Sequence, residues 1–180
     1  MGHQQIQMVE AGLEGLCLRI DGVPVEEVLV TRLVQFIAHD IASMLDHQIR
    51  PFGLGEGEFR ALTMLYAQPN GVAHPTDLCT RASQSPANMS RICDALVGQG
   101  LITRGPSAQD RRKMVLHMTA KGDALVQELL PGMFVAIRTV FNDISPGDRA
   151  QLTAVLKRLA VRLDEVLHTG DAPRPAVERN

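Results

Sequence analysis

Residues 85–122 read SPANMSRICDALVGQGLITRGPSAQDRRKMVLHMTAKG, and the order of signals in this stretch decides the fold. Ser85 carries the short hydroxyl that accepts from free amides at a helix start. Pro86 fits the next position, where a missing amide proton is no loss. Met89, Ile92, Cys93, Leu96 and Val97 recur at three- and four-residue steps as an inner stripe, leaving Ala87, Asn88, Ser90, Arg91 and Asp94 outward. Gly98-Gln99-Gly100 ends that helix. Leu101–Arg104 and Lys113–Met118 are short, partly β-branched segments around the loop chemistry of Gly105-Pro106-Ser107-Ala108. They predict a two-stranded hairpin tipped by Asp110-Arg111-Arg112-Lys113. Thr119 caps a further helix.

Upstream, Pro75 to Arg81 fits a short helix and Ala82-Ser83-Gln84 a tight turn, which makes Ser85 the start of the second helix of a helix-turn-helix. With the hairpin behind it, the pattern is a winged helix-turn-helix, a shape whose second helix enters a DNA major groove while its basic wing grips the backbone. A formal net charge of −2 and a pI near 6.3 look wrong for that partner until the charge is mapped. Residues 81–113 hold Arg81, Arg91, Arg104, Arg111, Arg112 and Lys113 against Asp94 and Asp110, a local +4 that leaves −6 for the remainder. A positive patch on an acidic body favours docking in one orientation.

Outside this lobe the pattern is helical. Ile6, Val9, Leu13, Leu16 and Ile20 suggest an N-terminal arm helix. Val25 to about Gln48 then runs without a breaker, with Val30, Leu33, Val34, Ile37, Ile41, Met44 and Leu45 on one side. At roughly 35 Å that helix is longer than a small lobe can cover, so it needs a partner surface. Glu58–Ala67 follows a Gly-rich link, and Gln68-Pro69-Asn70-Gly71 stops it. The helix opened by Thr119 should run to about Phe141, with Pro131-Gly132 predicting a bend or break. Ser145-Pro146-Gly147-Asp148 opens a last helix striped by Leu152, Val155, Leu156, Leu159, Leu163 and Val166. The expected class is mainly α with a small β-hairpin wing. Residues 1–22 are an arm, 23–54 and 123–168 a helical dimerisation region, 55–122 the winged lobe and 169–180 a flexible tail.

With 45% apolar content the chain is an ordinary globular one. No apolar run approaches the ~20 residues of a membrane span and no signal core opens the chain, so a cytoplasmic protein is expected. The odd count of cysteines, Cys17, Cys79 and Cys93, without close pairing, argues for reduced thiols; Cys79 and Cys93 fall at core positions. His39, Asp46 and His47 lack the cluster that metal binding needs, and neither a phosphate loop nor a nucleophile elbow is present. No cofactor, metal or catalytic site is expected.

These residues resemble the MarR family of bacterial regulators, and within it are most similar to EmrR-type repressors of multidrug efflux operons. The resemblance rests on Leu96-x3-Gly100-Leu101-Ile102-x-Arg104, Asp110-Arg111-Arg112 and Thr119-Ala120-Lys121-Gly122. It extends to Glu27–Leu33 and Leu159–Asp164, covering about residues 23–167. It implies a homodimer built from the long helices, reading a palindromic operator with half-sites roughly 34 to 36 Å apart. Ser85, Ala87, Asn88, Ser90, Arg91, Arg104, Asp110, Arg111, Arg112 and Lys113 are then the candidate DNA-binding residues, with Asp110 orienting a neighbouring Arg and Arg112 inserting into the minor groove. Pro86 stands where other members carry a polar side chain.

The resemblance further implies release from DNA by a small aromatic or phenolic effector. Arg32, Phe36 and His39 share a helix stripe and offer cation, ring and proton partner, with Phe59 and Met64 on the next helix as further candidates. Core packing for Phe36, Phe59 and Met64, and a solvated cation or an ion pair with a carboxylate elsewhere in the fold for Arg32, are the plain structural alternatives. Two other readings stay open: an oxidation sensor of the same fold acting through Cys17, and a winged-helix protein-assembly module.

Overall fold

The computed structural model describes residues 2–82, 84–107 and 114–169. The described elements run α1 (Gly2–Cys17), α2 (Val25–Ile49), α3 (Glu56–Tyr66), β1 (Val72–Ala73), α4 (Pro75–Ala82), α5 (Pro86–Gly98), β2 (Ile102–Pro106), β3 (Met114–Met118), α6 (Ala120–Val140) and α7 (Pro146–Thr169). They form two compact units, one reaching to Phe134 and one beginning at Val135.

In the first unit one core joins α3, α4, α5, the hairpin and the first turns of α6. Leu62 and Leu65 of α3, Leu78 of α4, and Met89, Cys93 and Leu96 of α5 are all buried. They pack with Leu101, Ile102 and Leu116 of the hairpin and with Val126, Leu129 and Met133 of α6. Burying side chains of this size contributes about 1.5–3 kcal/mol each, which is what fixes α5 against the sheet. Val97, expected on the inner stripe, is exposed instead, one residue before α5 ends at Gly98.

The sheet has the order β1-β3-β2, all antiparallel, with Val72 opposite His117 and Arg104 opposite Leu116. Two features depart from the sequence expectation. β1 is a third strand, too short at two residues to leave an alternation signal. Gly105 and Pro106, read as loop, continue β2 as far as the Pro106–Met114 pair. Residues 108–113, where the sequence reading placed the hairpin tip with Asp110, Arg111, Arg112 and Lys113, lie outside the described residues, as do Ser83 of the expected tight turn and residues 170–180.

The entry to α6 is tightly specified. The Thr119 hydroxyl is shared between the carbonyls of Gly100 and Leu101 at 2.8 and 2.9 Å and accepts from the Gly122 amide at 3.0 Å, and Lys121 Nζ donates to the Gln99 carbonyl at 2.7 Å. Gly122 is required here: a Cβ at that position would sit 2.1 Å from the Leu101 carbonyl oxygen. Downstream, α6 continues as one helix through Pro131, so no break occurs. Pro131 costs one backbone hydrogen bond, but Leu129 and Met133 on either side are anchored in the core, which offsets it.

α2 packs against α1 and α3 and delivers Ile49 to the lobe core, whereas Val30, Val34 and Ile37 of its apolar stripe stay exposed. By length and composition alone, Val25–Phe52 is apolar enough to cross a membrane, which corrects the expectation that no segment is. Arg32 and Asp40 sit mid-helix, where a bilayer centre would penalise each by about 2.5–3.5 kcal/mol.

In the second unit, Ser145 caps α7 as expected: its hydroxyl accepts from the Asp148 amide at 3.1 Å and donates to the Asp148 carboxylate at 2.7 Å. Leu152, Val155, Leu156, Leu159 and Leu163 all remain exposed along α7.

Candidate nucleic-acid interface

The interface begins at the α5 N-terminus. Ser85 is extended, with φ −67° and ψ 150°, and its side chain accepts from the Asn88 amide at 3.2 Å, leaving Pro86 as the first helical residue. This cap points the helix start outward. Because Met89, Ile92, Cys93 and Leu96 are buried, helical geometry holds the intervening positions away from the core: Ala87, Ser90 and Arg91 are exposed and Asn88 is half-buried.

Polar contacts tie these side chains together. The Asn88 amide nitrogen donates to Gln84 Oε1, while Asn88 Oδ1 accepts from Arg91 Nη1 at 3.4 Å. Asn88 therefore links the turn before α5 to the exposed Arg91 guanidinium. Guanidinium and carboxamide groups of this kind are able to pair with base edges in a major groove.

Arg104 is placed differently. From β2 its Nη1 meets Asp94 Oδ1 of α5 at 2.7 Å, and its Nη2 donates to the Ser90 carbonyl at 3.3 Å. The guanidinium thus brackets hairpin to helix. This role was not legible in sequence, since ten residues and a chain reversal separate Asp94 from Arg104. The other candidates, Asp110, Arg111, Arg112 and Lys113, lie outside the described residues.

Between α4, α5 and the hairpin lies a cavity of about 570 Å³, with Cys79, Cys93 and Arg104 on its wall. Cys93 is buried as expected, but Cys79 is only half-buried, because its side of α4 opens onto this cavity. Burial pushes the Cys93 thiol up, and the nearby Arg104 guanidinium pulls part of the way back.

The candidate effector residues fall in two places. Arg32 and Phe36 line a groove of about 300 Å³ with Val9, Leu13 and Leu16 of α1, while His39 is exposed on the following turn. Phe59 and Met64 are half-buried and packed against the lobe core. The contribution of α1 to the Arg32 groove was missed from sequence; the Leu13 stripe was the signal that could have found it. Cys17 is exposed and lines a neighbouring groove beside Glu10 and Glu14. Among the described residues no group of three or more His, Cys, Asp or Glu side chains could hold a metal ion.

Comparison with known proteins agrees with this geometry. Residues 52–113 match the MarR family. The transcriptional repressor MprA of Escherichia coli K12 is 29% identical over 162 residues, covering 90% of this chain and 92% of MprA. The HTH-type transcriptional regulator YpoP of Bacillus subtilis is 30% identical over 101 residues, covering 56% and 67% of the two chains. Among solved structures, Bordetella bronchiseptica BpsR, whose DNA binding is regulated by 6-hydroxynicotinic acid, superposes with a TM-score of 0.64 at 21% identity, covering 73% of this chain and 92% of BpsR.

Proposed function

The chain belongs to the MarR family, and on that premise we propose that it is a cytoplasmic, ligand-responsive repressor that binds a palindromic operator as a homodimer. The observation that carries the reading is the outward polar face of α5, capped at Ser85 and bracketed to the hairpin through Arg104. A helix presented in this way meets base edges through Asn88 and Arg91, while the cations at the hairpin tip engage phosphate and the minor groove. Arg104 then acts by holding the two reading elements at a fixed spacing.

Two copies are needed for a palindrome, and the exposed apolar residues of α2 and α7, each considered within its own unit, support pairing. The proposed effector is a small aromatic acid or drug, with Arg32 and Phe36 offering cation and ring, and His39, Phe59 and Met64 as further contacts. Its response resembles that of BpsR to 6-hydroxynicotinic acid, and the similarity to MprA supports control of an efflux or resistance operon. Release is a population shift: the effector must favour a lobe spacing that no longer fits the half-sites, with about 1–3 kcal/mol of coupling.

The test is binding of the full chain to its own upstream intergenic duplex and to a scrambled duplex at several salt concentrations, with and without salicylate-class acids. Preference for the native duplex, a steep fall of affinity with salt and loss on adding acid are expected. Equal retention of both duplexes overturns the repressor reading, and salt-insensitive or absent binding favours a protein-assembly role.

A further inference from the structure

The cavity between α4, α5 and the hairpin places two sulfurs in one apolar space. Cys79 reaches it from α4 and Cys93 from α5; Pro75, Pro86, Met89 and Leu116 supply much of the wall, and Arg104 is part of its polar side. The two helices that carry them are in contact, so both cysteines line this one cavity from adjacent elements. The remaining cysteine, Cys17, lies on α1 in a separate groove.

Two soft sulfurs, an apolar volume of about 570 Å³ and no third thiol on the wall select a ligand by valence. Trivalent arsenic makes three bonds. Two bonds to sulfur leave one for carbon, and the cavity has room for the carbon group. We propose that this cavity is a two-sulfur clamp for a monosubstituted trivalent arsenical, with its organic group lodged against Met89 and Leu116. The step needs no oxidant: R–As=O gains two As–S bonds, its oxygen leaves as water carrying both thiol protons, and arsenic stays trivalent. Because the bridge joins the two helices of the helix-turn-helix, the ligand acts on the reading element directly. The clamp stands on the cavity alone, so it survives even if the chain binds no DNA.

The test uses the full chain carrying Cys17→Ser, which leaves only the two cavity cysteines, treated with phenylarsine oxide or with inorganic arsenite. Intact mass should show one phenylarsenical per chain with loss of water, neither thiol open to iodoacetamide, and release by a 1,2-dithiol but not by an equivalent monothiol. Arsenite, with a valence left over, should bind more weakly. Cys79→Ser and Cys93→Ser should each weaken capture about 100-fold, the usual gain from joining two attachments in one molecule. Cys79 is the more exposed, so its variant serves if Cys93→Ser fails to fold. A thiol that still alkylates at saturation, a bridge between two chains, or a Cys79→Ser variant within about tenfold of its parent overturns the clamp.

Discussion

Arg104 of β2 and Asp94 of α5 are joined at 2.7 Å although their side chains are 35% and 60% exposed. An ion pair that open to solvent contributes at most about 1 kcal/mol to stability, so its importance is positional. Asp94→Ala should lower stability by less than about 1 kcal/mol in a urea titration, yet weaken operator binding about tenfold, or ~1.4 kcal/mol, by letting hairpin and helix drift apart. An affinity loss no larger than the stability loss would show that the bracket does not set the spacing.

Gly122 and Gly57 make a matched pair of tests. A Cβ at Gly122 meets backbone, the Leu101 carbonyl oxygen at 2.1 Å, whereas one at Gly57 meets the end of the Ile92 side chain at 2.9 Å. Gly122→Ala should destabilise by about 3 kcal/mol and Gly57→Ala by about 1 kcal/mol or less, measured by chemical denaturation. Equal costs would refute the steric account of Gly122.

The Ser85 cap should be separable from base contact. Ser85→Ala removes the acceptor for the Asn88 amide and should cost about 1 kcal/mol of stability, while Ser85→Asp restores most of it. Failure of the aspartate to recover stability would show that the hydroxyl serves something other than capping.

Cys93 gives the lobe a pH dependence of definite sign. Its thiol is raised chiefly by burial, so the folded chain holds this proton more tightly than the unfolded chain. That contribution is fully present below the ordinary cysteine value of about 8.5 and is lost as pH rises through the folded value. Thermal stability should therefore decline above about pH 8.5, and less steeply in Cys93→Ala than in the parent. Parallel profiles for the two proteins would remove Cys93 as the cause.

Under the proposed function, Arg112→Ala should weaken native and scrambled duplexes alike and reduce the salt slope by about one phosphate contact. Arg91→Ala should instead narrow the gap between the two duplexes by about 1–3 kcal/mol. Fluorescence anisotropy across a salt series measures both. An unchanged preference in Arg91→Ala would move sequence reading away from α5.

Much of the lobe was legible in sequence because its signals are local. A cap at Ser85, a four-residue stripe through Met89 and Cys93, and a hydroxyl at Thr119 each act within one turn of helix. What escaped depends on chain segments meeting at a distance. β1 exists only because β3 passes beside it, and the Asp94–Arg104 bracket needs the hairpin folded back along α5. Pro131 ends nothing for the complementary reason: its local tendency to break a helix is offset by Leu129 and Met133, whose core contacts are not written in neighbouring residues. The groove holding Arg32 and Phe36 was half visible, since α2 carries the polar partners and α1 the apolar wall.

The stitching at the start of α6 has a mechanical meaning. Thr119, Lys121 and Gly122 together engage Gln99, Gly100 and Leu101, the short span in which α5 ends and the hairpin is rooted. A crank mounted on such a bearing has no play: any tilt of the first turn of α6 must swing the tail of α5 and the root of β2 in the same stroke.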